Sequence, residues 1–139
     1  MAYSTEFSRA IAIILLIHMK MEECMYEFVS TKVIAEFLMI PAPTVVKILK
    51  SLNAAGITTT KEGLRGGILL IKSIADITLL DVFLATTHGP MFKTQMNYLI
   101  EDERIDNVVA TISGHLQDAE EAMKETLKKT TLLEIFKSY

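Results

Sequence analysis

The sequence predicts a mainly α fold: a helical domain with one small β-hairpin, followed by a long C-terminal helix. Three observations predict it. Apolar residues recur at helical spacing along most of the chain. One stretch, residues 57–71, instead sets β-branched and aliphatic residues on either side of a glycine-rich turn. A one-sided apolar stripe then runs over residues 108–127.

The first helix is expected over Ser4–Met21, with Ser4 as N-cap. Phe7, Ala10, Ile11, Ile14, Leu15 and His18 follow helical spacing, and Ile13, Leu16 and Ile17 make the opposite face apolar too. Such a helix is covered on two sides, and His18 on its stripe reads as a core or boundary residue rather than a ligand. A second helix begins at Ser30 or Thr31 and ends near Met39, with Val33, Ile34, Phe37 and Leu38 inward. Ile40-Pro41-Ala42-Pro43 interrupts the pattern, because proline disfavours helix for the residue before it. Pro43 suits the first turn of a third helix, where its missing N–H costs nothing. That helix runs to about Ala55, buries Val45, Ile48, Leu49 and Leu52, shows Thr44, Lys47, Lys50 and Ser51 outward, and stops at Gly56.

Two helices joined by a short turn have the shape of a helix-turn-helix. Ile57–Thr60 and Gly67–Ile71 then read as strands around the turn residues 61–66. A hairpin directly after a helix-turn-helix is a wing, and this one carries Lys61 and Arg65 at its tip. Thr78-Leu79-Leu80-Asp81 is a capping box opening a helix to about Thr87, which His88-Gly89-Pro90 stops. Residues 88–105 are irregular. The long helix spans about Asp106–Lys129, and Val108, Ile112, Leu116, Ala119, Met123 and Leu127 form its stripe. It is longer than a domain of this size needs for its own core, which points to a dimerisation seam of coiled-coil type. Thr131-Leu132-Leu133-Glu134 opens a short terminal helix. The division expected is a winged helix-turn-helix over 1–87 and an irregular segment with dimerisation helices over 88–139.

Composition narrows the function. At 139 residues, half of them apolar and 22% charged, the chain is neither a disordered tail nor a low-complexity spacer. Its apolar content, eight methionines included, favours a buried subunit interface. The longest apolar run, Ala10–Ile17, is far shorter than the ~20 residues a bilayer requires. No secretory leader is evident, so a soluble, cytoplasmic protein is expected. The net charge of −3 is unevenly placed. Residues 1–85 hold eight basic and eight acidic side chains, and residues 86–139 hold six and nine. Between Phe37 and Lys72, five bases (Lys47, Lys50, Lys61, Arg65, Lys72) face one acid, Glu62, a local balance of +4. That is either a solvated basic surface or an electrostatic footprint for a phosphate backbone.

Catalytic chemistry finds no support. The single cysteine, Cys24, stands in no nucleophile motif with His18, His88 or His115, and has no adjacent cation to lower its pKa. It remains the one candidate redox group. One thiol excludes a disulfide framework, a four-thiolate zinc site and a thiolate-ligated cluster built from this chain alone. The scattered histidines make no metal motif. Gly63-Leu64-Arg65-Gly66-Gly67 lacks the Gly-Lys-Ser/Thr ending of a phosphate loop and precedes no helix. The Glu22/Glu23 and Glu120/Glu121 pairs read as solvated surface. No enzyme, metal or cofactor is expected.

Essentially the whole chain resembles the Rrf-type winged-helix transcription regulators. The resemblance is strongest over Ser30–Asp81: Ile34-Ala35, the run Ile40–Leu52, Ala55-Gly56-Ile57, Gly66-Gly67 with Leu69-Leu70, and Ile77-Thr78-Leu79 leading to Asp81. Three positions depart from the family pattern. Glu62 stands at the arginine and Ile68 at the tyrosine of the wing pattern Arg-Gly-x-x-Gly-Gly-Tyr, with Arg65 inside the turn; Thr44 replaces a common aromatic. The three cysteines that cluster-binding members carry near residues 88–105 are missing here, so the chain is similar to the cluster-free branch.

The resemblance implies a homodimeric regulator of double-stranded DNA, most often a repressor. The third helix would enter the major groove, with Thr44, Lys47 and Ser51 toward the bases and Lys32, Lys50, Lys61 and Arg65 on phosphates. A small-molecule or protein effector is a further partner the resemblance implies. The alternative is a winged-helix protein–protein interaction module that has lost DNA binding, which Glu62 and the net charge favour. A ligand or redox sensor working through Cys24 or residues 88–105 is compatible with the first reading.

Overall fold

The structure is a computed structural model that describes residues 5–24, 28–95, 97–99 and 101–138, with Cys24 described by its backbone alone. Among these residues, six α-helices and a two-stranded antiparallel sheet follow in the order α1 (Glu6–Cys24), α2 (Thr31–Leu38), α3 (Ala42–Ala54), β1 (Thr58–Lys61), β2 (Gly67–Leu70), a 3-10 turn (Ile74–Asp76), α4 (Leu79–Thr86), α5 (Glu103–Lys128) and α6 (Leu132–Phe136). Ser4, the expected cap of α1, lies outside the described residues.

α1 is the central helix. Ala10, Ile13, Ile14, Leu16 and Ile17 are all buried, as a helix apolar on both faces must be to keep those faces from water. Phe7 meets Phe83 of α4 edge to face at 5.7 Å. α3 buries the four residues its period marks out, Val45, Ile48, Leu49 and Leu52. Each contributes roughly 1.5–3 kcal/mol relative to exposure. Ile34, Ile57, Ile68, Ile74, Ile77 and Val82 complete the same core.

α2 differs from expectation. Only Ile34 is fully buried, while Val33 and Phe37 are 40% and 60% exposed. One step along a helix rotates the side chain by about 100°, so Ile34 and Leu38 face the core while Val33 and Phe37 turn from it. The Lys20 ammonium covers the Phe37 ring at 4.9 Å.

Both helices of the pair close in the same way. Met39 N–H donates to the Glu36 carbonyl and Ile40 N–H to that of Ala35; Gly56 N–H donates to Asn53 and Ile57 N–H to Leu52. This paired closure needs a left-handed residue. Gly56 supplies it at φ +75°, whereas Met39 adopts φ +54° with a side chain.

The hairpin pairs Thr58 with Leu70 through Lys61 with Gly67. Its β2 edge is extended by Val29, which exchanges two 2.7 Å backbone hydrogen bonds with Ile68. The adjacent glycines follow from this crowding. A Cβ on Gly67, at φ +150°, would stand 2.7 Å from the Val29 carbonyl oxygen, and one on Gly66 would overlap the Lys61 carbonyl.

α4 opens with the expected capping box: Asp81 N–H donates to Thr78 Oγ1, and Thr78 N–H to the Asp81 carboxylate. α5 begins three residues earlier than the spacing suggests, because Asp102 is the cap. Its carboxylate accepts from Arg104 N–H at 2.9 Å and from the Arg104 guanidinium at 3.1 and 2.7 Å. The guanidinium holds the Asp102 carboxyl below its ordinary pKa. At about 1.5 Å per residue, α5 is about 39 Å long. None of its described residues is buried. After it the chain returns to the core: Leu132 is fully buried, its N–H donates to the Ile77 carbonyl, and Leu79 N–H donates to Thr130. His18 sits at the edge of this junction, with its ring edge-on to Phe136 at 5.0 Å and Nε2 3.4 Å from Glu22.

Candidate nucleic-acid interface

Burying Val45, Ile48, Leu49 and Leu52 forces the intervening residues of α3 outward. Lys47 and Lys50 are therefore exposed, and Thr44 and Ser51 are half-buried at the borders of the same face. The Ser51 hydroxyl lies 3.5 Å from the Lys47 carbonyl one turn back. Pro41 caps α3 without a side-chain bond and Pro43 occupies its first turn, so no capping side chain bonds to the first N–H groups of the helix.

The hairpin brings a second set of cations. Lys61 and Arg65 are exposed around the wing tip, with Glu62 and the fully exposed Leu64 between them. Lys61 projects over the Phe28 ring at 5.3 Å, a cation–π contact that favours one direction for a long side chain. Lys32, in the first turn of α2, is 83% exposed and stands 3.9 Å from Glu36. An exposed pair at that spacing is worth about 0.3–0.5 kcal/mol, so Lys32 is free to exchange it for a phosphate.

One side chain joins the two cationic elements. Asn53, in the last turn of α3, accepts from the Thr58 hydroxyl at 2.5 Å and donates through Nδ2 to Thr60 Oγ1 at 2.9 Å. Thr58 and Thr60 lie on the same face of β1, as residues two apart in a strand do.

The stripe on α5 remains open along its length. Val108 is 57% and Ile112 39% exposed; Ala119 is exposed, and Leu116, Met123 and Leu127 are half-buried. Between α5 and residues 89–95 lies an open cavity of about 870 Å³, lined by Lys93, Gln95, Ser113, Gln117 and Lys124 among others. Glu120 ties its two walls together, accepting from Met91 N–H at 3.3 Å and standing 3.7 Å from Lys124. The Cys24 side chain lies outside the described residues, so its candidate redox role has no geometry to examine.

The helix pair, the wing and the long terminal helix recur in known proteins. A family model described as an iron-dependent transcriptional regulator, Rrf2, matches residues 3–138. The chain belongs to the Rrf2 family. Members of this family are transcription regulators, not enzymes. Among solved structures, the chain is similar to IscR of T. potens (TM-score 0.70, 18% identity, covering 99% of this chain and 87% of that one). It is also similar to CymR, the global cysteine regulator of B. subtilis (TM-score 0.66, 23% identity, 97% and 95% covered). CymR of Staphylococcus aureus gives a TM-score of 0.61 at 18% identity, with 93% of each chain covered. No curated protein matches this Rrf2 chain by sequence.

The iron in the family's description can be tested against the donor atoms present. Iron–sulfur ligation draws on several thiolates. This Rrf2 chain has one cysteine, and residues 88–105 have none. Among the described residues, no group of three or more His, Cys, Asp or Glu could hold a metal ion. The donor set does not fit a thiolate-held cluster within one chain. Nor is any helix among them long and apolar enough to cross a membrane.

Sequence reasoning missed two features of the candidate interface, for different reasons. Val29 pairs with Ile68 across 38 intervening residues, a non-local contact with no periodic signature. Asn53 is a different case. A polar amide at a helix end just before a run of three threonines was a legible cue, since side chains that hydrogen-bond locally concentrate at such ends.

Proposed function

We propose that this protein is a homodimeric, sequence-specific DNA-binding transcriptional repressor of the Rrf2 family that works without an iron–sulfur cluster. The observation carrying the proposal is the joint exposure of Lys47 and Lys50 on α3 and of Lys61 and Arg65 on the wing, with Val45, Ile48, Leu49 and Leu52 of α3 and Ile68 of the hairpin turned into the core. In this reading α3 enters the major groove with Thr44, Lys47 and Ser51 toward base edges. Lys32, Lys50, Lys61 and Arg65 pair with phosphates, supplying affinity rather than sequence reading.

Residues 1–87 form the DNA-binding part, and residues 88–139 the irregular segment and the dimerisation helices, with α6 returning to the first part's core. Two copies join along Val108, Ile112, Leu116, Ala119, Met123 and Leu127. An apolar stripe left exposed on a 26-residue helix supports a partner helix there. The absence of a cluster is supported by the single cysteine. The cavity beside α5 is the place for a small-molecule effector, because its walls belong to both the irregular segment and the dimerisation helix. A regulator of this kind works in the cytoplasm.

Titration of the purified protein against random-sequence duplex DNA at two salt concentrations, with bound sequences recovered and read, tests the proposal. Enrichment of a two-fold symmetric site is the expected result. Absence of binding at low salt refutes it and favours the protein–protein interaction module.

A further inference from the structure

The wing and the recognition helix are joined covalently only through residues 55–57, so the angle between them must be held by contacts. On the far side of the hairpin, β2 is held by the two 2.7 Å bonds between Val29 and Ile68. At the root of β1, Ile57 is held by its bonds with Leu52 and Ile71. Beyond that root, the polar contact from α3 to β1 is Asn53. Both ends of its amide are in use, Oδ1 on Thr58 and Nδ2 on Thr60. Thr58 is buried, but Thr60 is exposed, and its hydroxyl would otherwise be free to bond water.

The position is telling at both ends. Asn53 stands three residues after Lys50, a neighbour on the helix surface. Thr60 immediately precedes Lys61. A single planar amide therefore spans from the helix bearing Lys47 and Lys50 to the strand leading into the wing tip. We propose that Asn53 is a positioning residue: its two hydrogen bonds set the angle of the wing against α3, so that Lys61 and Arg65 reach the DNA backbone in register with the recognition helix. This rests on the DNA-binding reading above.

The role is distinct from a contribution to stability. Without the clamp the fold persists, held by the buried faces and the Val29–Ile68 bonds, but β1 beyond its root is no longer tied to α3, and the tip cations no longer dock in register with it. Each phosphate contact contributes about 0.9 to the slope of log K against log salt for duplex DNA. Loss of Lys61 and Arg65 as contacts then lowers the slope by about 1.8. Asn53→Leu keeps the volume and removes both bonds. Thr60→Val removes the outer bond at an exposed position where folding is not at risk.

The experiment measures the affinity of the full-length protein for a labelled random-sequence duplex across a salt series. Wild type, Asn53→Leu, Thr60→Val, Lys61→Ala/Arg65→Ala and the triple variant with Asn53→Leu are compared, each with its thermal midpoint. The expected result is a slope lowered in Asn53→Leu and Thr60→Val, and no further lowering when Asn53→Leu is added to the double alanine variant. An undiminished slope in both clamp variants overturns the positioning role, whatever their thermal midpoints, while leaving the DNA reading in place. A wild type with no salt-dependent DNA binding overturns the reading of the interface, and the role of Asn53 with it.

Discussion

Reversing two charges on the recognition helix is the most direct test of the proposed interface. Lys47→Glu with Lys50→Glu subtracts four units from the stretch Phe37–Lys72, taking its balance from +4 to zero. Both side chains are exposed, and neither belongs to an ion pair among the described residues. The cost in stability is accordingly small, within about 0.5 kcal/mol, as for ordinary surface substitutions. The effect on DNA is large. Two lost cation contacts lower the salt slope by about 1.8, and over a fourfold rise from about 50 to 200 mM salt that alone is about 12-fold in affinity. Repulsion by two new carboxylates adds to this at low salt. Fluorescence anisotropy with a duplex, beside circular dichroism and sedimentation of the same samples, reads all three quantities. DNA binding is expected to vanish while helicity and oligomeric state stay unchanged. An unaltered affinity and slope in a folded double variant would remove α3 from the interface.

Three further outcomes follow from particular contacts. Leu132→Ala removes a fully buried side chain contributed from beyond α5, and is expected to cost about 2–5 kcal/mol. That lowers the thermal midpoint by the order of 10 °C, and a shift of a degree or two would mean that α6 is not part of the core. Ile112→Asp places a charge in the middle of the exposed α5 stripe, so sedimentation equilibrium should find monomers; a persistent dimer would refute the seam. Asp102 is held below the ordinary carboxylate value of 3.8 by the Arg104 guanidinium and its own capping bond, so its contribution is present above that value. It is lost as pH falls through the lower, folded value, fraying the first turn of α5, and Asp102→Asn should abolish that late acid transition in helicity.

How far the fold could be read from sequence depended on whether a segment's partners were local. α3 shows it best: thirteen residues give enough turns for period and burial to agree at all four inward positions. α2 has eight residues and apolar side chains on more than one face, so spacing could not separate Ile34 from Val33 and Phe37. The Lys20 ammonium that shelters Phe37 comes from another helix, at a separation that pattern does not encode. The start of α5 was misplaced because Asp102 and Asp106 both satisfy the cap rule. What decides between them is the Arg104 fork on Asp102, together with the Tyr98 hydroxyl, which donates to Asp106 as a residue already inside the helix. In the candidate site, the cations were legible as single exposed positions. Their arrangement was not, since it depends on Val29, Phe28 and Asn53 making contacts between elements.

A net charge of −3 looks like an argument against a nucleic-acid partner, and the structure shows why the whole-chain sum is the wrong quantity. Charges interact through electrolyte over about 8–10 Å at physiological ionic strength. An approaching polyanion therefore responds to the balance where it lands. Residues 86–139, with nine acids against six bases, are committed largely to α5 and its flanks, and α5 packs on α4, not on the outward face of α3. The bases of residues 37–72 stand on α3 and around the hairpin, with Glu62 the one acid among them. Segregation of this kind has a consequence for specificity as well as affinity. An acidic distal helix disfavours non-specific wrapping of the protein by DNA, while α3 and the wing offer a polyanion a locally basic stretch. For that surface to work as one unit its two cationic elements must keep a constant relation, and the contact that spans them directly is the amide of Asn53.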